Sequence, residues 1–109
     1  MSAPLHVVRA GTAGPPLVLV HGSATDAATW TIQFATGLPA RYRVIAYDRR
    51  GAGRSPLEAG VAWHTIEEHA ADLATLLGEL DEPALVAGSS CGAVVVLEAC
   101  RRSPRAIRG

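Results

Sequence analysis

Two glycines four residues apart, Gly88 and Gly92, bracket the run Gly-Ser-Ser-Cys-Gly, with Ser90 at its centre. A serine set this way is a candidate nucleophile, because the residues two positions to either side carry no side chain to obstruct a sharp backbone turn. Before the motif, Ala84-Leu-Val-Ala87 is short and apolar, as a strand buried on both faces would be. After it, Ala93 to Cys100 is apolar nearly throughout and reads as a helix. A strand that becomes a helix within a residue or two strains the central residue and presents its Oγ at the carboxyl end of the sheet. The helix start behind it offers free amide donors and a partial positive charge, which a developing oxyanion needs. The Cys91 N–H is one expected donor. A second should come from the loop after a neighbouring strand. Leu17-Val-Leu-Val20 is such a strand, it ends at His21-Gly22-Ser23, and the Ser23 N–H is the candidate. Two other readings compete: a plain turn serine, or Cys91 as nucleophile in a shifted register. The shifted register would put Ser89 and Ala93 where the two glycines fit.

The remaining elements must hold these groups at one end of a sheet. Leu5–Arg9 and Arg43–Asp48 are β-branched or apolar runs that read as further strands, separated by turn-forming clusters. Trp30, Phe34 and Leu38 share one face of a helix expected from Ala27 to Leu38, with Pro39 as its stop. Thr65-Ile-Glu-Glu68 has the form of a capping box, and Ile66, Ala70, Leu73, Leu77 and Leu80 follow as one apolar stripe until Pro83. The last helix, apolar nearly all round, is expected to be buried. Strands alternating with helices predict a three-layer α/β/α architecture with a mostly parallel sheet, in one domain over residues 1–109.

Other chemistry-bearing residues take plainer roles. Asp48 and Ser55 flank the glycine-rich turn Arg49–Pro56 and are expected to bond local backbone, with Arg50 as the partner of Asp48. Gly51-Ala-Gly53 begins like a dinucleotide fingerprint, but Pro56 stands where the third glycine belongs, so no nucleotide cofactor is implied. His21 is expected to fix its loop. His64 and His69 are expected to be solvated or edge groups, and Cys91 and Cys100 buried thiols. No metal-ligand or disulfide spacing is visible, so neither a metal nor any other cofactor is expected.

With ten acidic residues balancing ten basic ones, the chain lacks the electrostatic footprint of a nucleic-acid or anionic-membrane partner. No apolar run approaches the ~20 residues of a membrane span, and the N-terminus lacks the pattern of a signal peptide. A cytoplasmic location is expected.

Taken together, Leu17-Val-Leu-Val-His-Gly22, Trp30, Asp48-Arg-Arg-Gly-Ala-Gly-Arg-Ser55 and Gly88-Ser-Ser-Cys-Gly92 resemble the α/β-hydrolase superfamily, in its order and spacing. The resemblance covers essentially the whole chain. It implies that the four strands are the second to fifth of the family's eight-stranded sheet, with His21, Gly22, Asp48, Gly51, Gly53, Gly88 and Gly92 as structural motif residues. A serine at the centre resembles the esterase, lactonase and peptidase branches rather than dehalogenases and epoxide hydrolases, whose nucleophile is aspartate. The implied substrate is a small-molecule ester, lactone or amide. In this family an acid and then a histidine follow the serine; here Glu98 is the only acid after Ser90, and no histidine follows. The chain is therefore expected to be a fold truncated after the nucleophile helix, inactive or weakly active alone, with an exposed sheet edge prone to self-association. Two alternatives remain: a non-catalytic binding or assembly module, or a fragment complemented by a second chain.

Overall fold

The computed structural model describes residues 4–109, and the first three residues of the expected domain lie outside them. Alternation of apolar side chains sets the sheet. Strands β1 (Val7–Ala10), β2 (Pro16–Val20), β3 (Arg43–Tyr47) and β4 (Leu85–Gly88) lie in the order β1-β3-β2-β4. β2 pairs in parallel with β3 and β4, and β1 joins the β3 edge antiparallel. The register puts Val18 beside Ile45 and Val20 beside Tyr47, so these four project to one face of the sheet. That face is covered by helices α3 (Ile66–Gly78) and α4 (Cys91–Arg102). Leu19, Val44 and Ala46 project to the other face, beneath Trp30, Phe34 and Leu38. Helices on both faces of a mostly parallel sheet make the three layers expected, and they bring the carboxyl ends of β2 and β4 side by side.

Local rules explain most boundaries. Thr65 and Glu68 close the expected capping box at the start of α3: the Thr65 amide donates to Glu68 Oε1 at 2.9 Å and the Glu68 amide to Thr65 Oγ1 at 3.1 Å. The helix expected over 27–38 is broken. It becomes a 3-10 turn (Ala27–Trp30), a short α1 (Thr31–Ala35) and a second short α2 (Leu38–Arg41). The break falls at Thr36, which is extended, and not at Pro39, which sits in the first turn of α2 where its missing N–H costs nothing. α4 also departs from expectation. It buries Gly92, Val95 and Ala99, while Val94 is 49% and Leu97 70% exposed, so it is two-faced rather than enclosed. Cys100, expected to be buried, is exposed, and Cys91 is half-buried. The outer edge of β4 is not bare: Ala84 bridges Ile107 in parallel, Arg108 N–H donates to Ala84 O at 2.8 Å, and Val86 N–H to Gly109 O at 2.9 Å.

Candidate active site

Ser90 joins β4 to α4 as the N-cap residue of that helix, with φ 55° and ψ −123°. Positive φ in a residue with a Cβ is strained backbone, costing of order 1–3 kcal/mol. The surroundings enforce it. Ser89 N–H donates to Val20 O at 3.0 Å, tying the turn to the end of β2, and the Gly92 and Ala93 amides bond Ser89 O and Ser90 O at 2.9 Å. A Cβ on Gly88 would lie 2.7 Å from Ala93 Cα, and one on Gly92 would press on Val20 O and His21 O. The turn fits only with glycine on either side. The Cys91 N–H heads α4, where a helix has no acceptor of its own to offer.

The second candidate donor lies on a loop that passes directly over this serine. A Cβ built on Gly22 would come 3.1 Å from Ser90 Cβ and 3.7 Å from Ser90 Oγ, a tight approach that glycine makes without displacing the serine. Ser23 and Ala24 form the exposed turn that follows, and Ala24 also has positive φ, 57°. His21 anchors the loop. Its ring is buried, Nε2 accepts from Arg49 N–H at 2.9 Å, and Nδ1 lies 2.7 Å from Gly22 O. An amide can only donate, so the proton resides on Nδ1 and is given to Gly22 O. Burial lowers the His21 pKa, against the raising effect of the Gly22 bond. Both ring nitrogens are used and the ring is neutral; it has no lone pair left to take a proton from Ser90.

Sequence reasoning missed Arg49. Its guanidinium is buried and bonds His21 O at 3.0 Å and Gly22 O at 2.9 Å, clamping the loop beside Ser90 from the next strand. Asp48 accepts from Ala27 N–H at 2.7 Å and Arg54 N–H at 2.8 Å, so it links the glycine-rich turn to the 3-10 turn as well as bonding locally. Arg50, expected to pair with Asp48, instead reaches Asp72 of α3, Nε to Oδ2 at 3.6 Å, while both Asp48 carboxylate oxygens are taken by the Ala27 and Arg54 amides. Ser55 Oγ accepts from His6 N–H at 2.8 Å, a bond across the fold rather than within its own turn. Gly51 and Gly53 have φ 91° and 51°, and a Cβ on Gly53 would overlap the Asp48 carboxylate.

His64 and His69, expected to be solvated or edge groups, are not: His69 is 8% exposed and the His64 side chain 9%. They lie with rings 5.6 Å apart beside Asp72. Burial, then the charges of Arg49 and His64, lower the His69 pKa to about 4, so its ring is neutral near pH 7. Burial raises the Asp72 carboxyl, and Arg50 draws it back.

The chain as a whole is similar to known proteins. The profile described as Alpha/beta hydrolase family fits residues 17–108. The chain belongs to that family. Within the alpha/beta hydrolases, it is 40% identical over 95 residues to the uncharacterized hydrolase YraK of Bacillus subtilis, covering 86% of this chain and 35% of that protein. Among solved structures it superposes on an epoxide hydrolase, VrEH1 of Vigna radiata, with TM-score 0.87 and 25% identity over 96% of this chain and 34% of the other. A thermophilic esterase of Thermogutta terrifontis gives TM-score 0.83 and 34% identity over 94% of this chain and 37% of the other. The chain thus spans about a third of the length of such relatives and matches the N-terminal portion of their fold. Among the described residues no helix is long and apolar enough to cross a membrane.

Proposed function

We propose that this chain carries the nucleophile and oxyanion-binding part of a serine hydrolase that cleaves a small-molecule ester, lactone or amide through an acyl-enzyme. The observation that supports it is Ser90 itself: a serine held at positive φ between β4 and α4, with the Gly22 backbone against its Cβ. Serine at this position favours acyl transfer over the epoxide chemistry of the aspartate-bearing branches. Ser90 Oγ attacks the carbonyl carbon, its proton passing by way of solvent to the departing oxygen or nitrogen, and the carbonyl π-bond becomes an oxyanion that the Cys91 and Ser23 amides receive. Collapse of the tetrahedral species expels the alcohol or amine and leaves the acyl group on Ser90.

Among the described residues no histidine is placed to take that proton directly. All four histidines precede Ser90, and the His21 ring is committed to Arg49 and Gly22. A serine hydroxyl without a base is a weak nucleophile, and oxyanion binding alone sustains only about 10³–10⁴-fold acceleration over water. Incubating the folded chain with 4-nitrophenyl acetate tests the reading. Slow acetylation of Ser90, seen by peptide mass spectrometry and lost in Ser90→Ala, is expected, while styrene oxide leaves the serine unmodified. Acetylation on Cys91, or a rate unchanged in Ser90→Ala, would refute it.

A further inference from the structure

Three side chains around the start of α3 converge outside the Ser90 site. His64 stands just ahead of the N-cap Thr65, His69 lies in the first helical turn, and Asp72 follows it one turn on. Their ligand-type atoms all lie within 4.8 Å of one another. Among the described residues, each of the three has a buried polar atom without a hydrogen-bond partner: Nδ1 of both histidines and Oδ2 of Asp72. The contacts that do exist, 3.9 Å from His64 Nδ1 to Asp72 Oδ2 and 3.6 Å from Arg50 Nε to the same oxygen, exceed hydrogen-bond length. A buried polar atom left unsatisfied costs about 1–3 kcal/mol, and three gathered at one point call for a shared partner.

We propose that His64, His69 and Asp72 bind one transition-metal dication of the Zn²⁺ class. The donor set selects the ion. Two imidazoles and one carboxylate suit Zn²⁺, Co²⁺, Ni²⁺ or Cu²⁺, which take nitrogen readily. A hard cation such as Mg²⁺ or Ca²⁺ prefers oxygen ligands and would gain from one carboxylate alone. Metal–ligand bonds of ~2.0–2.2 Å place tetrahedral donors roughly 3.3 Å apart, so the cluster must contract on binding. His64 supplies that movement, since it lies in the irregular segment before the helix. A cleft of about 520 Å³ between β1 and α3, with Arg50 and Asp72 but neither histidine in its wall, reaches the carboxylate side of the cluster. Water would fill the remaining coordination position. The proposal rests on no part of the acyl-transfer reading.

Titration of the chain with Co²⁺, followed by its visible absorbance, is the test. One Co²⁺ per chain, displaced by one equivalent of Zn²⁺, is expected. His64→Asn and Asp72→Asn should each weaken binding ~10-fold or more, and His6→Asn should leave it unchanged. Because His69 is buried and its variants risk the fold, the second readout is thermal: Zn²⁺ raises the Tm of the parent chain and not that of His64→Asn. Absence of Co²⁺ absorbance, undiminished binding in both His64→Asn and Asp72→Asn, or a thiolate charge-transfer band abolished in Cys91→Ser or Cys100→Ser would each overturn the assignment.

Discussion

A methyl group at position 92 would meet the backbone carbonyls of Val20 and His21, the second at 2.6 Å, and neither carbonyl can yield without moving the end of β2 and the loop over Ser90. Gly92→Ala is therefore expected to destabilise by about 1–3 kcal/mol, the range for overpacking a close-packed site. At ~4–8 °C per kcal/mol for a domain near this size, calorimetry resolves that easily. Gly78→Ala is the control: open space surrounds it at the end of α3, so its Tm should hold or rise slightly. An equal loss in both variants would contradict the close approach. Ser90 and its flanking glycines were legible in the sequence because the constraint is local, a strand turning into a helix within a residue. Arg49 was not. Its bonds to His21 O and Gly22 O span more than twenty residues and end on backbone, which leaves no mark on the partner's side-chain identity. Nor could the sequence say which arginine of the Arg49-Arg50 pair turns toward the loop and which toward Asp72.

Among the elements, α3 is the one whose start is written most fully in its residues. Thr65→Ala removes the side-chain half of the capping box and should cost ~1 kcal/mol, measured as a lower urea midpoint with unchanged slope. No change would show that tertiary packing alone fixes this helix end. The apolar stripe of α3 was readable, and the burial of His69 was too: Ile66, His69, Leu73 and Leu76 share one face, yet a histidine among aliphatics is easily passed over. The segment from Ala27 to Arg41 was less legible. Trp30, Phe34 and Leu38 keep a helical spacing, but all three pack on the sheet from separate short turns, so periodicity alone could not reveal the break at Thr36. α4 shows the opposite limit. Its composition predicts complete burial, whereas Val94 is half exposed and Leu97 mostly exposed.

Taken as a molecule, the fold keeps two imidazoles neutral by burying them. The His21 and His69 pKa values lie below the ordinary 6.5, His69 at about 4. As pH falls, the unfolded chain takes up these protons first. The stability they contribute is whole above pH 6.5 and is lost as pH falls toward about 4. Asp72, raised by burial, acts in the opposite sense within the carboxylate range. With chelator present, urea melts should give a lower midpoint at pH 5 than at pH 7.5, and equal midpoints would contradict neutral burial. The three layers and the mostly parallel pairing followed from the alternation of strands and helices, whereas the strand order β1-β3-β2-β4 and the two-faced packing of α4 did not.

The central claim is that Ser90 is the nucleophile, and the most direct measurement is labelling of the folded chain with a fluorophosphonate, followed by peptide mapping. Labelling should be slow, confined to Ser90, absent in Ser90→Ala and retained in Cys91→Ala. An adduct that survives Ser90→Ala, or a folded chain in which Ser90 never reacts, would contradict the account.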